Sequence, residues 1–356
     1  MLKSLTDICR IVDHKSTPPV LAAVKITPNT QNEVVLLGTD LHNYLEFGCN
    51  VINTGLPEEG ICVTARELLK AVKALDSDIE LKSDGETVTV FNKNQEIKIK
   101  TTFPADAFPA SMTFKITESK TISCPVGDVL LDSLDYCKAA MSVEKTRLYL
   151  NGVALQTKGP EWTLVACDGH RLRCVKSNEL LDNGEYDNSF IIPRKAITTL
   201  LNMKRKVAHT GLSSDGRKLL FIFDNGDSLV TKLINGSFPQ WEKIVPEGSG
   251  NVVTIPDKKS AIKLLRGMIN FVGKKHAVKV EQGITLTMKN DETEMTTNID
   301  GNYDGNPFGL NADYLLQELN DCDTALEMIV SDAVSPIITI HGRNQKRFGV
   351  LMPRRV

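Results

Sequence analysis

Cys167, Asp168 and His170 lie within one short stretch, with Cys174 close behind. These are the side-chain types of a cysteine nucleophile, a general base and an orienting acid. A dyad of this kind needs the sulfur within hydrogen-bond reach of the imidazole. Here Asp168-Gly169 is a strong turn signal between two strand patterns, WTLVAC and RLRCVK. The turn spoils the alternation that would place residues 168 and 170 on one side. No G-x-S-x-G, HExxH or phosphate-binding loop supports another catalytic scheme. The eight cysteines (Cys9, Cys49, Cys62, Cys124, Cys137, Cys167, Cys174 and Cys322) form no CxxC pair. Buried free thiols in a reducing cytosol are therefore expected, with no metal or other cofactor and no enzymatic activity.

The elements that must position these residues repeat along the chain. Three segments pass from an apolar strand into a helix: ICVTARELLKAVKAL at 61–75, FIIPRKAITTLLNMKRK at 190–206 and FGLNADYLLQELNDC at 308–322. Thr64 and Asn311 suit helix N-caps, and Pro193 suits a first turn. A second repeat pairs GTDLHNYLEFGC (38–49) with ACDGHRLRCVKS (166–177), and TTNIDGNYDGN (296–306) reads as its degenerated third copy. A third repeat is an opening helix: LTDICRIVD near residue 5, PVGDVLLDSLDYCKAAMS from 125 and DKKSAIKLLRGMINFVG from 257. The copies recur every 120–130 residues or so, close to one domain length. The expected architecture is α+β, with six helices and many antiparallel strands in three domains, 1–119, 120–247 and 248–356. The boundaries fall in the polar stretches Glu118–Lys120 and Pro246–Gly250.

The 356-residue chain carries a formal charge of −2, whereas domains that grip DNA by charge alone are usually basic. Either DNA is not a partner, or topology rather than affinity holds the protein there. The start of the chain reads as neither a signal nor a transit peptide, and no apolar run approaches the roughly 20 residues a membrane span needs.

The stretch RLYLNGVALQT…TLVACDGHRLRCVK (147–176) resembles the bacterial DNA polymerase III beta subunit family, whose usual form has a Thr-Asp-Gly-His-Arg-Leu core. Similar segments follow in family order: IIPRKAITTLL (191–201), KLINGSFPQWEKIVP (232–246) and VLMPRRV (350–356). The first copy adds LGTDLHNYLEF and TTFPADAFP (101–109). The resemblance covers nearly the whole chain. It implies a sliding clamp, in which two three-domain subunits join head to tail with helices inside and sheets outside. Such a ring needs only weak, sequence-independent contacts to duplex DNA, which accommodates the low net charge. The implied partners are duplex DNA, the replicative polymerase, the clamp loader, other clamp-motif proteins and a second copy of the chain, in the cytoplasm and not at a membrane.

The resemblance also implies sites. A partner peptide containing Gln, Leu and often Phe would dock against Arg147, Leu150, Cys167, Gly169, His170, Arg171 and Leu172. Pro239, Lys243 and Ile244 would come from the linker, and Val350, Leu351, Met352, Pro353, Arg354, Arg355 and Val356 from the tail. Cys167 and Lys243 replace the family's usual threonine and arginine. The DNA-facing set would include Lys15, Arg66, Lys73, Tyr149, Arg194, Lys195, Lys204 and Arg205, while Asp128, Asp132, Asp135, Asp313 and Glu318 would make the lumen only patchily positive. Ile97 and Ile99 would meet the second subunit at Arg266, Ile269 and Asn270, where asparagine replaces an apolar residue. The alternative to a ring is a peptide-binding scaffold that keeps the clamp fold without closing.

Overall fold

The computed structural model describes all residues except 16–18, 76–78, 101–102, 110–126, 159–160, 178–187, 248, 274–276 and 342–346. Cys124, the stretch Glu118–Lys120 and the first residues of the predicted second opening helix lie outside the described residues. Six α-helices are described: α1 (Leu2–Ile11), α2 (Ala65–Leu75), α3 (Gly127–Cys137), α4 (Arg194–Met203), α5 (Lys258–Val272) and α6 (Ala312–Asp321). The chain forms two compact units, one of residues 1–131 and 192–234, the other of residues 132–191 and 235–356.

In the first unit a seven-stranded sheet runs, edge to edge, through Val207–Leu212, Lys218–Phe223, Ser228–Lys232, Asn43–Asn50, Glu33–Thr39, Ala23–Thr30 and Ile61–Thr64. A four-stranded sheet of Ile52–Asn53, Glu80–Ser83, Thr87–Phe91 and Glu96–Lys100 completes it. Leu5, Ile8 and Ile11 recur at helical spacing, so α1 buries one stripe and packs beside both α2 and α4. In the second unit an eight-stranded sheet runs through Asn188–Pro193, Gly152–Lys158, Glu161–Cys167, Arg171–Ser177, Arg347–Leu351, Ile337–His341, Leu326–Val330 and Asn251–Ile255. Its four-stranded companion runs Glu294–Asn298, Thr285–Lys289, Ala277–Glu281 and Phe308–Asn311. Ala261, Leu265, Met268, Ile269 and Val272 of α5 enter this unit's core beside Leu315 and Leu319 of α6.

The three strand-to-helix segments are present as Ile61–Thr64 with α2, Asn188–Pro193 with α4, and Phe308–Asn311 with α6. Asn311 caps α6, its side-chain oxygen accepting from the N–H groups of Asp313 (2.9 Å) and Tyr314 (3.4 Å). Pro193 ends its strand directly before α4 rather than entering the first turn.

The hairpin repeat is more regular than its sequence. Asp40 Oδ1 accepts from the N–H groups of His42 (3.0 Å) and Asn43 (2.6 Å), and Asp168 Oδ1 accepts from those of His170 (2.9 Å) and Arg171 (3.0 Å). The third copy of this turn is Asn290–Thr293, where Asn290 Oδ1 accepts from Glu292 N (2.9 Å) and Thr293 N (2.7 Å). The reading of residues 296–306 as the degenerated copy is therefore corrected. An asparagine carbonyl performs the same local capping as the two aspartates, so the turn survives without an Asp-Gly signature.

Each of these turns leads into a strand, and two of those strands join the repeats. Asn43–Asn50 pairs antiparallel with Ser228–Lys232, and Arg171–Ser177 pairs antiparallel with Arg347–Leu351. The third strand of this kind, Glu294–Asn298, is an outer strand of its sheet. So is Glu96–Lys100, the last strand of the first repeat. Both outer strands alternate exposed and half-buried residues, EMTTN and EIKIK.

Candidate functional site

The Cys167–Arg171 turn organises the second unit's surface. Gly169 adopts φ +90°, a left-handed conformation that glycine takes without strain, and an added Cβ there would sit 3.2 Å from Arg147 Nη1. The Arg147 guanidinium thus lies over the turn. Gly169 N–H donates to Cys167 Sγ at 3.3 Å, so the thiol accepts the bond that Thr39 Oγ1 accepts from Leu41 N–H (2.9 Å) in the first repeat. Burial raises the Cys167 pKa and pushes that of Cys174 well above the ordinary thiol value. Neither sulfur is poised as a thiolate, and Asp168 is occupied by the turn and by Arg171 at 3.2 Å.

Arg171 and Arg173 project from one side of their strand onto α6. Arg171 donates through Nε to Asp168, through Nη1 to Gln317 (2.5 Å) and through Nη2 to the Ala139 carbonyl, and it stacks on the Tyr314 ring at 4.2 Å. Its side chain is only 10 % exposed. All three nitrogens serve the fold, so Arg171 holds the wall of the site instead of offering a free donor to a ligand. Arg173 reaches Glu318 (2.8 Å), Asp321 (2.5 Å) and the Tyr136 carbonyl (3.1 Å). Glu318 also accepts from Thr339 Oγ1 (2.5 Å) and meets His341 Nε2 at 2.6 Å. Burial alone would raise its pKa, but the His341 contact and the Arg173 charge outweigh that and hold it at about 2. Glu318 is wholly buried, which corrects its assignment to an acidic lumen face.

Of the remaining predicted site residues, those of the tail lie beside the turn, and the linker segment packs farther along the same sheet. Leu150, Leu172, Val350 and Leu351 are buried as its floor. Met352 N–H donates to the His170 carbonyl at 2.9 Å, and Arg354 N–H donates to the Gly309 carbonyl at 2.8 Å. Gly309 has no room for a Cβ, because the Arg354 carbonyl and the Val356 side chain press against it. This fixes the tail beside the turn. The 3₁₀ turn Trp241–Ile244 is anchored by Trp241, whose Nε1 donates to Gln156 (2.9 Å) and whose ring lies 6.3 Å from Phe348. Ile244, Met352, Val356 and Leu148 stay exposed, as do His170, Lys243, Arg354 and Arg355, while Pro239 and Pro353 are half-buried. Exposed apolar side chains and cations on these segments suit a short amphipathic peptide. Leu148 was missed in the sequence because a leucine in a strand-like run reads as core.

The basic residues divide. Lys15, Arg66, Lys73 and Lys204 are exposed, Tyr149 is 36 % exposed and Arg194 is half-buried. Lys195 is exposed but bound to Asp40 (2.6 Å) and to the Ile11 carbonyl (2.8 Å). Arg205 is only 10 % exposed, bonded to Asp227, 3.6 Å from Asp7 and stacked 4.4 Å from the Phe47 ring centre. Its placement among DNA-facing residues is corrected: the two carboxylates draw it inward. Ile97 and Ile99 are half-buried on their outer strand, and Arg266 and Asn270 are exposed on α5. Ile269 is 5 % exposed and belongs to the core, so it offers no surface to a second chain. The exposed apolar residue of α5 is Phe271, at 63 %.

No helix among the described residues is long and apolar enough to cross a membrane, and no described cluster of His, Cys, Asp and Glu could hold a metal ion. Residues 1–113 match the family described as DNA polymerase III beta subunit, N-terminal domain, and residues 127–240 match its central domain. The beta sliding clamp of Pseudomonas aeruginosa is 26 % identical over 374 residues, covering 100 % of this chain and 98 % of that protein. The beta sliding clamp of Caulobacter vibrioides is 27 % identical over 372 residues, with coverage of 100 % and 98 %. The crystal structure of the P. aeruginosa sliding clamp bound to griselimycin has the same fold, with a TM-score of 0.87 at 24 % identity and coverage of 100 % and 97 %. That of the beta subunit from Streptococcus pyogenes gives a TM-score of 0.88 at 18 % identity, also covering 100 % and 97 %. With both domain descriptions matched in order and the three-repeat fold shared, this chain belongs to the DNA polymerase III beta subunit family, the non-enzymatic sliding clamps of DNA replication.

Proposed function

We propose that this sliding clamp works as a head-to-tail ring dimer around duplex DNA, giving processivity to a replicative polymerase in the cytoplasm. The observation that carries this reading is the pattern of joints between repeats. In both joints within the chain, the strand after an Asx turn pairs with the last strand of the next repeat. One strand of each kind remains at a sheet edge, Glu294–Asn298 in the third repeat and Glu96–Lys100 in the first. Unpaired edges are costly to leave open, and joining these two between chains repeats the same joint and closes a cyclic dimer. The repeats act as three domains, 1–119, 120–247 and 248–356. The exposed lysines and arginines of α2 and the α4 end give weak, sequence-independent contact with phosphates. Polymerase, clamp loader and other clamp-motif proteins bind by a short peptide laid over the 167–172 turn, the 241–244 turn and the tail.

The test is retention on DNA of different topology. With an ATP-driven clamp loader, the protein should remain on nicked circular duplexes through a high-salt gel filtration and slide off linear ones. Equal retention on both forms would overturn the ring and leave the scaffold alternative.

A further inference from the structure

We infer that the first unit carries a docking site of its own, a groove beside the Glu80–Ser83 strand that takes an extended segment of a partner protein as an added β-strand. The segment it fits is apolar at alternate positions and acidic at its ends. The site lies wholly in the first unit and depends neither on the ring nor on the 167–172 turn.

A comparison of the first and third repeats carries it. In the third, the strand after the second helix, Leu326–Val330, is covered along its length by Asn251–Ile255, five residues paired antiparallel. Val253 and Ile255 of the covering strand share one core with Leu319 and Leu326. Asn302 backs that strand, exchanging both backbone hydrogen bonds with Thr254 at 3.0 Å. In the first repeat the strand after the second helix is Glu80–Ser83, and among the described residues no such strand covers it. Only Ile52–Asn53 lies there, paired in parallel at two positions, Ile52 with Glu80 and Asn53 with Leu81.

The correspondence holds residue by residue. Counted from the junctions Thr64–Ala65 and Asn311–Ala312, Val72 and Ile79 match Leu319 and Leu326. Counted from the Asx turns at Asp40 and Asn290, Ile52 matches Asn302. The residue that backs the covering strand in one repeat therefore pairs directly with the inner strand in the other. Beside it is a groove of about 840 Å³ lined by Leu2, Ile52, Val72 and Ile79, with Lys73 and Lys93 at its rim. Leu2 is 46 % exposed and Ile52 47 %, and Ile79 is half-buried where its counterpart Leu326 is wholly buried.

These features specify the occupant. An extended chain turns alternate side chains to one face, so apolar residues two apart enter between Leu2, Ile52 and Ile79 as Val253 and Ile255 enter the third repeat's core. The incoming backbone pairs with Glu80–Ser83, and Ile52 takes up behind it the place that Asn302 takes behind Thr254. Lys73 and Lys93 are exposed, and half-buried Glu80 is the one carboxylate lining the groove, so acidic ends on the segment are favoured.

The probe is the chain's own covering strand, a fluorescein-labelled peptide of residues 247–257, EGSGNVVTIPD, which carries the apolar alternation and a carboxylate residue at each end. Anisotropy titrations use the full chain as wild type, Ile52→Asp, Lys93→Glu and Ile244→Asp. Ile52, Lys93 and Ile244 are all exposed, so none of the changes threatens folding. Ile52→Asp should weaken binding at least about tenfold and Lys93→Glu about threefold, while Ile244→Asp binds as wild type does. Hydrogen exchange at the Glu80–Ser83 amides should slow when the peptide saturates. Absence of binding, or equal binding by wild type and Ile52→Asp, overturns the groove. Loss in Ile244→Asp instead would place the peptide at the second unit's site and overturn it too. Binding with unchanged exchange at Glu80–Ser83 overturns the added strand.

Discussion

Arg173 and Glu318 meet at 2.8 Å with 1 % and 0 % of their side chains exposed, tying the strand Arg171–Ser177 to helix α6 in the second unit. Tyr314, Gln317, Glu318 and Asp321 form one helical stripe, and Arg171 and Arg173 between them touch all four. The same carboxylate receives Thr339 and His341 from a strand two places along the sheet. A buried charge with this many partners holds the elements under the proposed peptide site in one arrangement.

The first prediction concerns pH. Glu318 is held at about 2 against an ordinary value of 4.5, so its contribution to stability is fully present above about pH 4.5 and is lost as pH falls toward 2. The shift is worth about 3 kcal/mol. Glu318→Gln should remove that part of the acid sensitivity and, by leaving Arg173 with Asp321 alone, cost about 3 kcal/mol at neutral pH. Both tryptophans, Trp162 and Trp241, belong to the second unit, so urea titrations followed by intrinsic fluorescence read it selectively. A variant with the wild-type acid slope would refute the assignment.

The second separates wall from contact at the peptide site. Ile244 is 41 % exposed and bonds nothing through its side chain. Ile244→Asp should leave urea stability within about 0.5 kcal/mol and cut affinity for a fluorescent Gln/Leu/Phe peptide at least tenfold or so. Arg171→Ala should do more to the fold, about 1–3 kcal/mol, by orphaning Asp168 and Gln317. Peptide anisotropy and urea titration on the same samples distinguish them, and a stable Ile244→Asp protein with unchanged affinity would remove the 241–244 turn from the site.

The third concerns phosphate binding. Neutralising Arg66, Lys73 and Lys204 together should make DNA binding less salt-dependent, the slope falling by about one for each phosphate that no longer meets a cation, with little change in stability. Arg205→Ala should instead destabilise the first unit by about 3 kcal/mol, since Asp227 would remain buried without its cation and Asp7 would keep only Arg10. Salt titrations on a duplex, beside thermal melts, read the two effects separately; an Arg205 variant as stable as wild type would contradict the inward placement.

Much of this was legible in the residues. Strand-then-helix segments showed because apolar periodicity changes from two to 3.6 within a few positions, as at Phe308–Asn311 and α6. The turn at Asp168 showed because Asp-Gly is a local signal. Its counterpart at Asn290 was missed because Asn-Asp-Glu-Thr carries no glycine, although the same side-chain oxygen does the capping. Arg205 and Glu318 were misplaced for a related reason. A charged residue in or beside a helix reads as surface until its partners, here Asp7, Asp227 and Arg173, are brought to it from distant parts of the chain. Ile269 was misplaced through helical phase: each residue turns the helix by about 100°, which a short apolar run does not fix, so Ile269 enters the core while Phe271, two positions on, stays exposed.

The two compact units are interleaved along the chain, and this constrains how the protein is made. Residues 192–234 complete the first unit, yet they follow a stretch, 132–191, that belongs to the second. A nascent chain emerging from the ribosome must therefore carry strands such as Arg171–Ser177 with one edge bare until Arg347–Leu351 arrives, long after the first unit has all its parts. Until then the bare edge of an unfinished β-sheet is open to pairing with other chains, so that interval of synthesis is the one in which aggregation is expected.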